Sequence, residues 1–425
     1  MTIFKAYDIR GVYPTELNED TFYKIARAFA AFIKGKKIVV GGDNRLSTPS
    51  LKKSFIQGLL DSGIDVTDIG TVATSMVYFS CYKLGFDAGA MITASHNPKE
   101  FNGIKLCGSD GLAIGLESGL DKVKSIMEKS QFKNGKGKLN SLNIINEYKK
   151  FIKGLSRNLD GVKIVVDGSN GSAGLIYSDI LRSLGADIVE LFCEPDGNFP
   201  NHRIPDPLID ENLKEIKSEV KKTKSNIGLA FDGDGDRIVI INEKGEKSNT
   251  NHIIALLAEK ILMKHKNAKI VYDVLSSKLV EEVIRQNHGI PIISKVGHSI
   301  IPRKCKEVDA PFAGESSSHY FFKESNYTDD TLVAATKILD IIISEKKKLS
   351  ELTNKYPSYY QEIEKRIPII EEMKFSFIEN LKHEFKKQGY EISTIDGVKI
   401  KFKNGWAVFR ASNTESKIVI SYESP

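Results

Sequence analysis

The stretch Lys163-Ile164-Val165-Val166-Asp167-Gly168 has one counterpart earlier in the chain, Lys37-Ile38-Val39-Val40, and one later, Lys269-Ile270-Val271-Tyr272. Each begins with a short β-branched run, the composition typical of a buried strand. A helix-like stretch follows each run, and then a second β-rich run opened by a glycine. These glycines are Gly63, Gly185 and Gly289. Such a glycine suits the position after a helix, where left-handed backbone is needed. The repeat predicts three tandem α/β domains with parallel strand pairing.

The last part of the chain has a different pattern. Residues 375–387 have the periodicity of an amphipathic helix. The β-rich runs that follow are residues 390–393, 398–402, 406–410 and 417–422. One helix with several short strands close in sequence is typical of antiparallel pairing. We therefore expect a small C-terminal α+β domain.

Polar and irregular segments separate these blocks, the clearest at residues 131–150, near Asn249 and around Pro357. The expected domains are residues 1–150, 151–249, 250–356 and 357–425. They would carry, in that order, a serine loop, an acidic loop, a loop rich in small and titratable residues, and an arginine loop. A length of 425 residues agrees with several domains, since one domain typically takes ~150 residues.

Composition excludes several classes of protein. Apolar residues make up 41% and charged residues 27%, as in globular proteins, and no apolar run reaches the ~18 residues of a membrane span. The chain begins without a signal-peptide pattern, and its four cysteines form no C-x-x-C pair, so we expect a cytoplasmic protein without zinc or disulfides. A net charge of +6 fits an anionic small substrate as well as it fits nucleic acid, so it decides nothing alone. The lysine clusters are typical of solvated faces, so nucleic acid is not an expected partner, and without a spanning run neither is a membrane.

The strongest local signal is Asp232-Gly233-Asp234-Gly235-Asp236-Arg237, which lies between two apolar runs. Three carboxylates separated by glycines can converge on one hard cation if the loop curls, and without a cation they would repel. The alternative is a plain Asp/Gly turn between two strands. Three oxygen ligands leave coordination positions open, which suits Mg²⁺ that also binds a phosphate.

A second polar segment, Thr93-Ala94-Ser95-His96-Asn97-Pro98, ends a run of small apolar residues. Reactive groups of α/β folds lie at such strand ends, so Ser95 is a candidate nucleophile although no G-x-S-x-G motif surrounds it. Taken alone, the segment is equally consistent with an ordinary turn.

Weaker candidates lie elsewhere along the chain. Arg410-Ala411-Ser412-Asn413-Thr414 combines arginine, hydroxyls and backbone amides as a phosphate-binding loop would. The other candidates are Lys105, His298 and the run from Gly314 to Tyr320. Each has a simpler alternative, namely a surface lysine, a structural histidine or a polar turn.

Together these segments resemble the α-D-phosphohexomutase family, of the phosphomannomutase/phosphoglucomutase type. The matching segments follow the family order: Tyr7-Asp8-Ile9-Arg10-Gly11, residues 93–98, residues 232–237, residues 314–319 and residues 410–414. The resemblance covers nearly the whole chain. It implies four domains around a central cleft, the first three sharing one α/β topology with mixed, mainly parallel sheets.

The resemblance also implies roles. Ser95 would carry a phosphoryl group, and Mg²⁺ would be held by Asp232, Asp234, Asp236 and an oxygen of the phosphoserine. Arg237 would lie beside the phosphoserine and Arg10 near the transferring group, while Lys105 and His298 match acid/base positions. The substrate-binding positions would be Tyr7, the sugar-loop residues Glu315, Ser317 and His319, and the phosphate-loop residues Arg410, Ser412, Asn413 and Thr414.

The chain departs from the family pattern at several places. Ser318 stands where the sugar loop usually has glycine, which we expect to stiffen that loop. Glu415-Ser416 replaces a more common Glu-Pro or Thr-Pro, and residues 201–207 form a segment one residue longer than usual. The chain stops at Pro425, where many members continue into a final helix, so we expect a looser fourth domain.

The resulting hypothesis is a mutase that interconverts the 1- and 6-phosphates of mannose or glucose, with a hexose 1,6-bisphosphate as intermediate and activator. The alternatives are a phosphoglucosamine mutase, a metal-dependent sugar phosphatase that uses the same serine, and a non-catalytic sugar-phosphate sensor. A second phosphate anchor favours the mutase, because simple hydrolysis needs none. The expected partners are sugar phosphates, and the expected assembly is a monomer or a homodimer.

Overall fold

The computed structural model describes residues 3–412 and 416–425 of the chain. They form two compact units. The first unit comprises the chain up to Ser248 together with Ser317–Glu351, and the second comprises Asn249–Ser316 together with Leu352–Pro425. No helix in the described part of the chain is long and apolar enough to cross a membrane.

Helices and strands alternate along most of the chain. The helices are α1 Glu19–Phe32, α2 Thr48–Leu60, α3 Thr74–Leu84, α4 Leu120–Glu128, α5 Ile145–Leu155, α6 Gly174–Ser183, α7 Lys214–Thr223, α8 Thr250–Lys264, α9 Lys278–Gln286, α10 Ile301–Val308, α11 Thr331–Glu345, α12 Leu349–Thr353 and α13 Lys374–Lys387. The strands are β1 Ile9–Val12, β2 Lys37–Gly42, β3 Asp65–Thr71, β4 Ala88–Ile92, β5 Phe101–Gly108, β6 Leu139–Ser141, β7 Lys163–Asp167, β8 Asp187–Leu191, β9 Ile227–Phe231, β10 Ile238–Asn242, β11 Lys269–Asp273, β12 Ile290–Ser294, β13 Phe312–Gly314, β14 Tyr320–Phe322, β15 Tyr360–Pro368, β16 Glu391–Ser393, β17 Val398–Phe402, β18 Gly405–Ala411 and β19 Lys417–Ser424.

The first unit contains two mixed sheets. One has the strand order β1-β5-β4-β2-β3-β6, in which β4, β2, β3 and β6 are parallel and β5 is antiparallel to both its neighbours. The other has the order β10-β9-β7-β8, in which only the β9–β10 hairpin is antiparallel. Phe22, Phe29 and Phe55 lie in one buried core with residues of the first sheet.

Each of the three sequence repeats forms the predicted strand, helix and second strand. The pairs β2–β3, β7–β8 and β11–β12 are all parallel, and a helix lies between the two strands of each pair. Strand β13 adds to β11 in the same direction. The predicted α/β class with mainly parallel pairing is therefore confirmed.

One detail of the repeat is wrong. Gly63 and Gly185 have the expected left-handed backbone, with φ of +79° and +102°. In the third repeat His288 takes that conformation instead, with φ of +59°. Gly289 is needed for space, because a Cβ atom there would lie 2.6 Å from Cδ1 of Leu262. The glycine thus allows close packing in the third repeat, whereas it provides the left-handed turn in the first two repeats.

The C-terminal part of the second unit is a five-stranded antiparallel sheet of order β15-β19-β18-β17-β16. Helix α13 packs on it through Ile378 and Phe385. The predicted helix, four of the strands and their antiparallel pairing are confirmed. Strand β15 was missed because its sequence is mostly polar, and it pairs with β19 through backbone hydrogen bonds.

The segment 131–150, interpreted as an irregular linker, contains strand β6 and the start of α5. β6 pairs with β3, so Leu139 lies opposite Val66. Residue 150 falls inside α5, and Tyr148 of that helix is fully buried. The segment is therefore not irregular throughout, and its polar composition concealed β6 and α5 because neither backbone pairing nor one buried tyrosine changes that composition. The domain bounds themselves stay a prediction.

Candidate active site

Ser95 lies in the turn that follows β4, at the carboxyl end of a strand flanked by β2 and β5. Its backbone is left-handed, with φ of +49°, a conformation that non-glycine residues rarely adopt. Its N–H donates to Oγ1 of Thr93 at 2.8 Å, and the residue is 1% exposed. The turn is therefore a defined, buried structure, and its strained backbone is typical of functional sites.

The acidic loop connects the antiparallel strands β9 and β10. Oxygens of Asp232, Asp234 and Asp236 lie within 4.8 Å of one another, and all three residues are buried. The glycines make this geometry possible. A Cβ atom on Gly233 would lie 2.6 Å from the carbonyl oxygen of Ser95, and Gly235 has a φ of +73°. The predicted convergence of the three carboxylates is confirmed, and it takes place beside Ser95.

The Ser95 hydroxyl is hydrogen-bonded to the acidic cluster. Its Oγ donates to Oδ2 of Asp232 at 2.6 Å and lies 3.0 Å from Nδ1 of His96. Burial, with the charges of Asp236 and Asp234, raises the pKa of Asp232 well above its usual value. Burial, with repulsion from Arg237 and Arg10, lowers the pKa of His96 well below its usual value, so this imidazole is neutral near pH 7.

Lys105 provides positive charge inside the cluster. It lies on β5, and its Nζ donates to Oδ2 of Asp234 at 2.8 Å and to Oδ2 of Asp236. Burial alone would lower the pKa of Lys105, but attraction to Asp234 and Asp236 outweighs it and raises the pKa. The lysine is thus a buried cation next to the candidate metal ligands, and not a surface residue.

The donor set fits a divalent cation. In the part of the chain that the structure describes, no group donates to the buried Oδ1 of Asp234. The three carboxylates supply only oxygen ligands, with the Ser95 hydroxyl directly beside them. Hard cations such as Mg²⁺ and Ca²⁺ prefer such ligands. The cluster could therefore bind a metal ion.

Two arginines approach the same place. Arg10 on β1 donates from Nη1 to Oδ1 of Asn97 at 2.6 Å and from Nη2 to Asp8. Arg237 donates its backbone N–H to Oδ1 of Asp232 at 3.0 Å, and its Nη1 lies 3.3 Å from Oδ2 of Asp206. Both predicted arginines thus contact the serine turn or the acidic loop.

Arg45 was not found from the sequence. It is 1% exposed, and its Nη atoms donate to four carbonyl oxygens of the serine turn and the start of β5, while Nε donates to Asp43. The carbonyls belong to Ser95, Asn97, Pro98 and Phe101, at 2.6–3.1 Å. Its guanidinium lies 5.0 Å from the ring centroid of Phe199. The only signal in the sequence was the polar run Asp43-Asn44-Arg45 just after β2. Because β2 and β4 are parallel neighbours, this run and Ser95 lie at the same edge of the sheet.

His319, a predicted substrate residue, lies beside the acidic loop. Its Nε2 is 3.8 Å from Oδ1 of Asp236, and its Nδ1 is 3.0 Å from Oγ of Ser317. Asp329 joins the group, since a ligand atom of each of Asp236, His319 and Asp329 lies within 4.8 Å of the others. Burial, with repulsion from Asp236, raises the pKa of Asp329 to about 7. Asp329 was missed because nothing near it in the sequence marks it.

Ser318, the residue that replaces a glycine of the family pattern, is buried and has a φ of +67°. Glycine adopts this left-handed conformation at lower cost than serine, since a side chain is strained in it. The expected stiffening of the loop stays a prediction.

The remaining predicted residues are distributed as follows. Tyr7 is half-buried and lies just before β1. In the second unit, Oε1 of Glu315 accepts a hydrogen bond from the N–H of Gly297, next to His298, at 2.8 Å. Arg410 on β18 lies 3.4 Å from Oδ2 of Asp396, and the N–H of Ser412 donates to the carbonyl oxygen of Lys417. Asn413 and Thr414 lie outside the described residues.

Comparison with known proteins agrees with this geometry. Models of four phosphoglucomutase/phosphomannomutase domains match the chain in order: alpha/beta/alpha domain I at residues 1–134, domain II at 145–245, domain III at 249–360 and the C-terminal domain at 360–425. The chain belongs to the phosphoglucomutase/phosphomannomutase family. The four-domain architecture expected from the resemblance is thereby confirmed.

Full-length relatives support the same assignment. A phosphomannomutase/phosphoglucomutase of Pseudomonas syringae pv. tomato is 37% identical, with 100% of this chain and 91% of the relative covered. A phosphomannomutase of Methanocaldococcus jannaschii is 38% identical, with 100% and 94% covered. A crystal structure of a phosphoglucomutase/phosphomannomutase family protein from Burkholderia thailandensis superposes with a TM-score of 0.92 at 34% identity, with 100% and 94% covered.

Proposed function

We propose that this chain is a phosphohexomutase that interconverts the 1- and 6-phosphates of mannose, glucose or both through a phosphoserine and a hexose 1,6-bisphosphate. The observation that carries the proposal is the hydrogen bond from Oγ of Ser95 to Asp232, inside a buried cluster of three aspartates. Family membership supports it, because full-length relatives are named as phosphomannomutase or phosphoglucomutase.

The reaction would proceed in two transfers. The phosphoryl group of phosphorylated Ser95 passes to the free hydroxyl of a hexose monophosphate, which releases the serine hydroxyl and forms the bisphosphate. After the bisphosphate has turned, Ser95 takes the other phosphoryl group and releases the isomeric monophosphate. Phosphoryl transfer depends mainly on positioning and on stabilising spread negative charge. Arg10, Arg237 and Lys105 provide positive charge around the serine turn.

We assign Mg²⁺ to Asp232, Asp234 and Asp236, since carboxylate oxygens beside a phosphorylated serine suit this ion better than zinc. When bound, the ion would supply Lewis-acid stabilisation of charge on the phosphoryl oxygens. The protein's own part is to hold the three carboxylates in place and to exclude water. That Lys105 and His298 act as acid/base groups stays a prediction.

The Asp234→Asn variant tests this assignment. Removing one anionic ligand should weaken the site, so the Mg²⁺ concentration for half-maximal activity should rise by at least about 10-fold, or activity should vanish. Asp167→Asn is the matched control, since Asp167 is also buried but is hydrogen-bonded to His202. Full activity of the unaltered enzyme in excess chelator, with no metal detected, would contradict the assignment.

The competing function is a sugar phosphatase. A test of the fourth domain distinguishes it from a mutase, because only the mutase needs a second phosphate anchor. Arg410, with Ser412, Asn413 and Thr414, is proposed to bind the phosphate that does not react, which anchors the sugar while a hydroxyl is positioned near Ser95. Hydrolysis of phosphoserine by water needs no such anchor. Arg410→Ala should therefore lower kcat/KM on sugar phosphates by one to several orders of magnitude, because a charge-assisted contact contributes roughly 2–3 kcal/mol.

The measurement compares kcat/KM with the rate at which water hydrolyses the phosphorylated enzyme. That hydrolysis rate should stay nearly unchanged in Arg410→Ala. Arg285→Ala is the control, since Arg285 is exposed in the same unit and pairs with Glu281. An Arg410→Ala enzyme with intact kcat/KM for glucose 1-phosphate would refute the anchoring role.

Substrate preference needs parallel coupled assays with mannose 1-phosphate, glucose 1-phosphate and glucosamine 1-phosphate. We expect turnover of the mannose or glucose ester to exceed that of the glucosamine ester. Preference for glucosamine 1-phosphate would establish the alternative mutase, and phosphate release without isomerisation would establish the phosphatase. A monomer or homodimer in the cytoplasm, with hexose 1,6-bisphosphate as activator, stays the prediction from sequence.

A further inference from the structure

Thr74, the first residue of α3, makes two hydrogen bonds with the acidic loop. Its backbone N–H donates to the carbonyl oxygen of Asp234 at 3.0 Å, and its Oγ1 donates to Oδ2 of the same residue at 2.7 Å. Thr74 is fully buried. Its hydroxyl therefore restrains the rotation of the Asp234 carboxylate together with Nζ of Lys105, which donates to the same oxygen, and the Thr74 N–H holds the backbone of Asp234 at the same helix end.

The peptide between Asp234 and Asp236 is held from another side. The carbonyl oxygen of Gly235 accepts from Oγ1 of Thr331 at 2.6 Å and from the hydroxyl of Tyr177 at 3.3 Å. Thr331 is the first residue of α11 and is fully buried. These bonds set the direction in which the loop presents the carboxylates on both sides of Gly235.

A chain of buried hydroxyls lies behind these contacts. Oγ of Ser75 is 2.9 Å from the hydroxyl of Tyr177 and 3.2 Å from that of Tyr148, and Tyr148 donates to Oδ1 of Asp330 at 2.8 Å. All four residues are no more than 1% exposed. Hydrogen bonds between buried polar side chains restrain the positions of the groups that they join. Helices α3, α5, α6 and α11 of the first unit are thus connected at the back of the acidic loop.

We infer that Thr74 and Thr331 are positioning residues that set the affinity of the acidic loop for its divalent cation. The inference rests on the metal site of the proposed function. Groups that hydrogen-bond to metal ligands orient them, and their loss commonly lowers metal affinity 10–100-fold. Thr74 acts on a ligand directly, whereas Thr331 acts through the peptide that joins two ligands.

The test is Mn²⁺ binding to the full-length protein, followed by electron paramagnetic resonance, which needs no turnover. Thr74→Val and Thr331→Val keep the shape of the side chain and lose the hydroxyl, so each should raise the Kd by about 10-fold or more. Thr74→Ser and Thr331→Ser keep a hydroxyl and should restore most of the affinity. Thr336→Val is the control, because Thr336 is also buried in α11 and donates to the carbonyl oxygen of Val333, away from the loop.

Melting temperatures in chelator separate positioning from general stability. Weaker Mn²⁺ binding by the two variants, with melting temperatures like that of Thr336→Val, supports the inference. Unchanged Kd values for Thr74→Val and Thr331→Val, in an unaltered protein that binds Mn²⁺, overturn it and leave the metal site standing. If the unaltered protein binds no Mn²⁺, the metal site of the proposed function fails, and the inference fails with it.

Discussion

We expect Ser95→Ala to lower turnover of hexose phosphates by about 10⁴-fold or more, the scale on which loss of a nucleophile acts in other enzymes. In the proposed mechanism, no phosphoryl group can be held between the two transfers without this hydroxyl. The fold should survive, since the change removes only one hydroxyl from the turn. The hydrogen bonds from the Arg45 side chain to the backbone carbonyl oxygens of the turn stay in place.

The decisive measurement is intact mass after incubation with hexose 1,6-bisphosphate. The unaltered enzyme should gain the mass of one phosphoryl group, located on Ser95 by peptide analysis, and the variant should gain none. Ser80→Ala is the matched control, because Ser80 is also buried and its hydroxyl bonds to the carbonyl oxygen of Met76. A label found only on another residue would refute the role of Ser95.

The second large effect should come from Arg45. Arg45→Lys keeps the charge, but an ammonium cannot replace a planar guanidinium that donates to four carbonyl oxygens and a carboxylate. The serine turn should shift, and kcat should fall by about 100-fold, the scale of a 1 Å misplacement. KM should change little, because Arg45 is buried under the turn.

Arg45→Met should in addition lower the free energy of unfolding by about 3–5 kcal/mol, since Asp43 would stay buried without its ion-pair partner. Arg27→Lys separates the two effects. Arg27 is a buried arginine of the same unit that donates to Lys133 and Asn134, so this variant should lose stability and keep its kcat. An Arg45→Lys enzyme with the kcat of the unaltered protein would show that Arg45 serves stability alone.

The serine turn and the acidic loop could be predicted because each is local in sequence. Three aspartates alternating with glycines indicate convergence on a cation without any knowledge of the rest of the fold. The family was also identified from such short segments, and the family assignment is confirmed. Strand β15 and helix α5 were missed for the opposite reason. Strand β15 is held by pairing with β19, and α5 is held by the buried Tyr148. Neither contact changes the pattern of polar and apolar residues along the chain.

The supporting contacts of the site show the same division. Ser95 and Asp232 are 137 residues apart, and Thr74 and Asp234 are 160 apart, yet each pair is joined by a hydrogen bond of 2.7 Å or less. The sequence by itself determined which side chains are candidates for phosphoryl transfer and metal binding. Only the tertiary structure decided which other groups hold them. Hydrogen bonds between distant residues depend on how strands and helices pack, and no spacing along the chain encodes that packing.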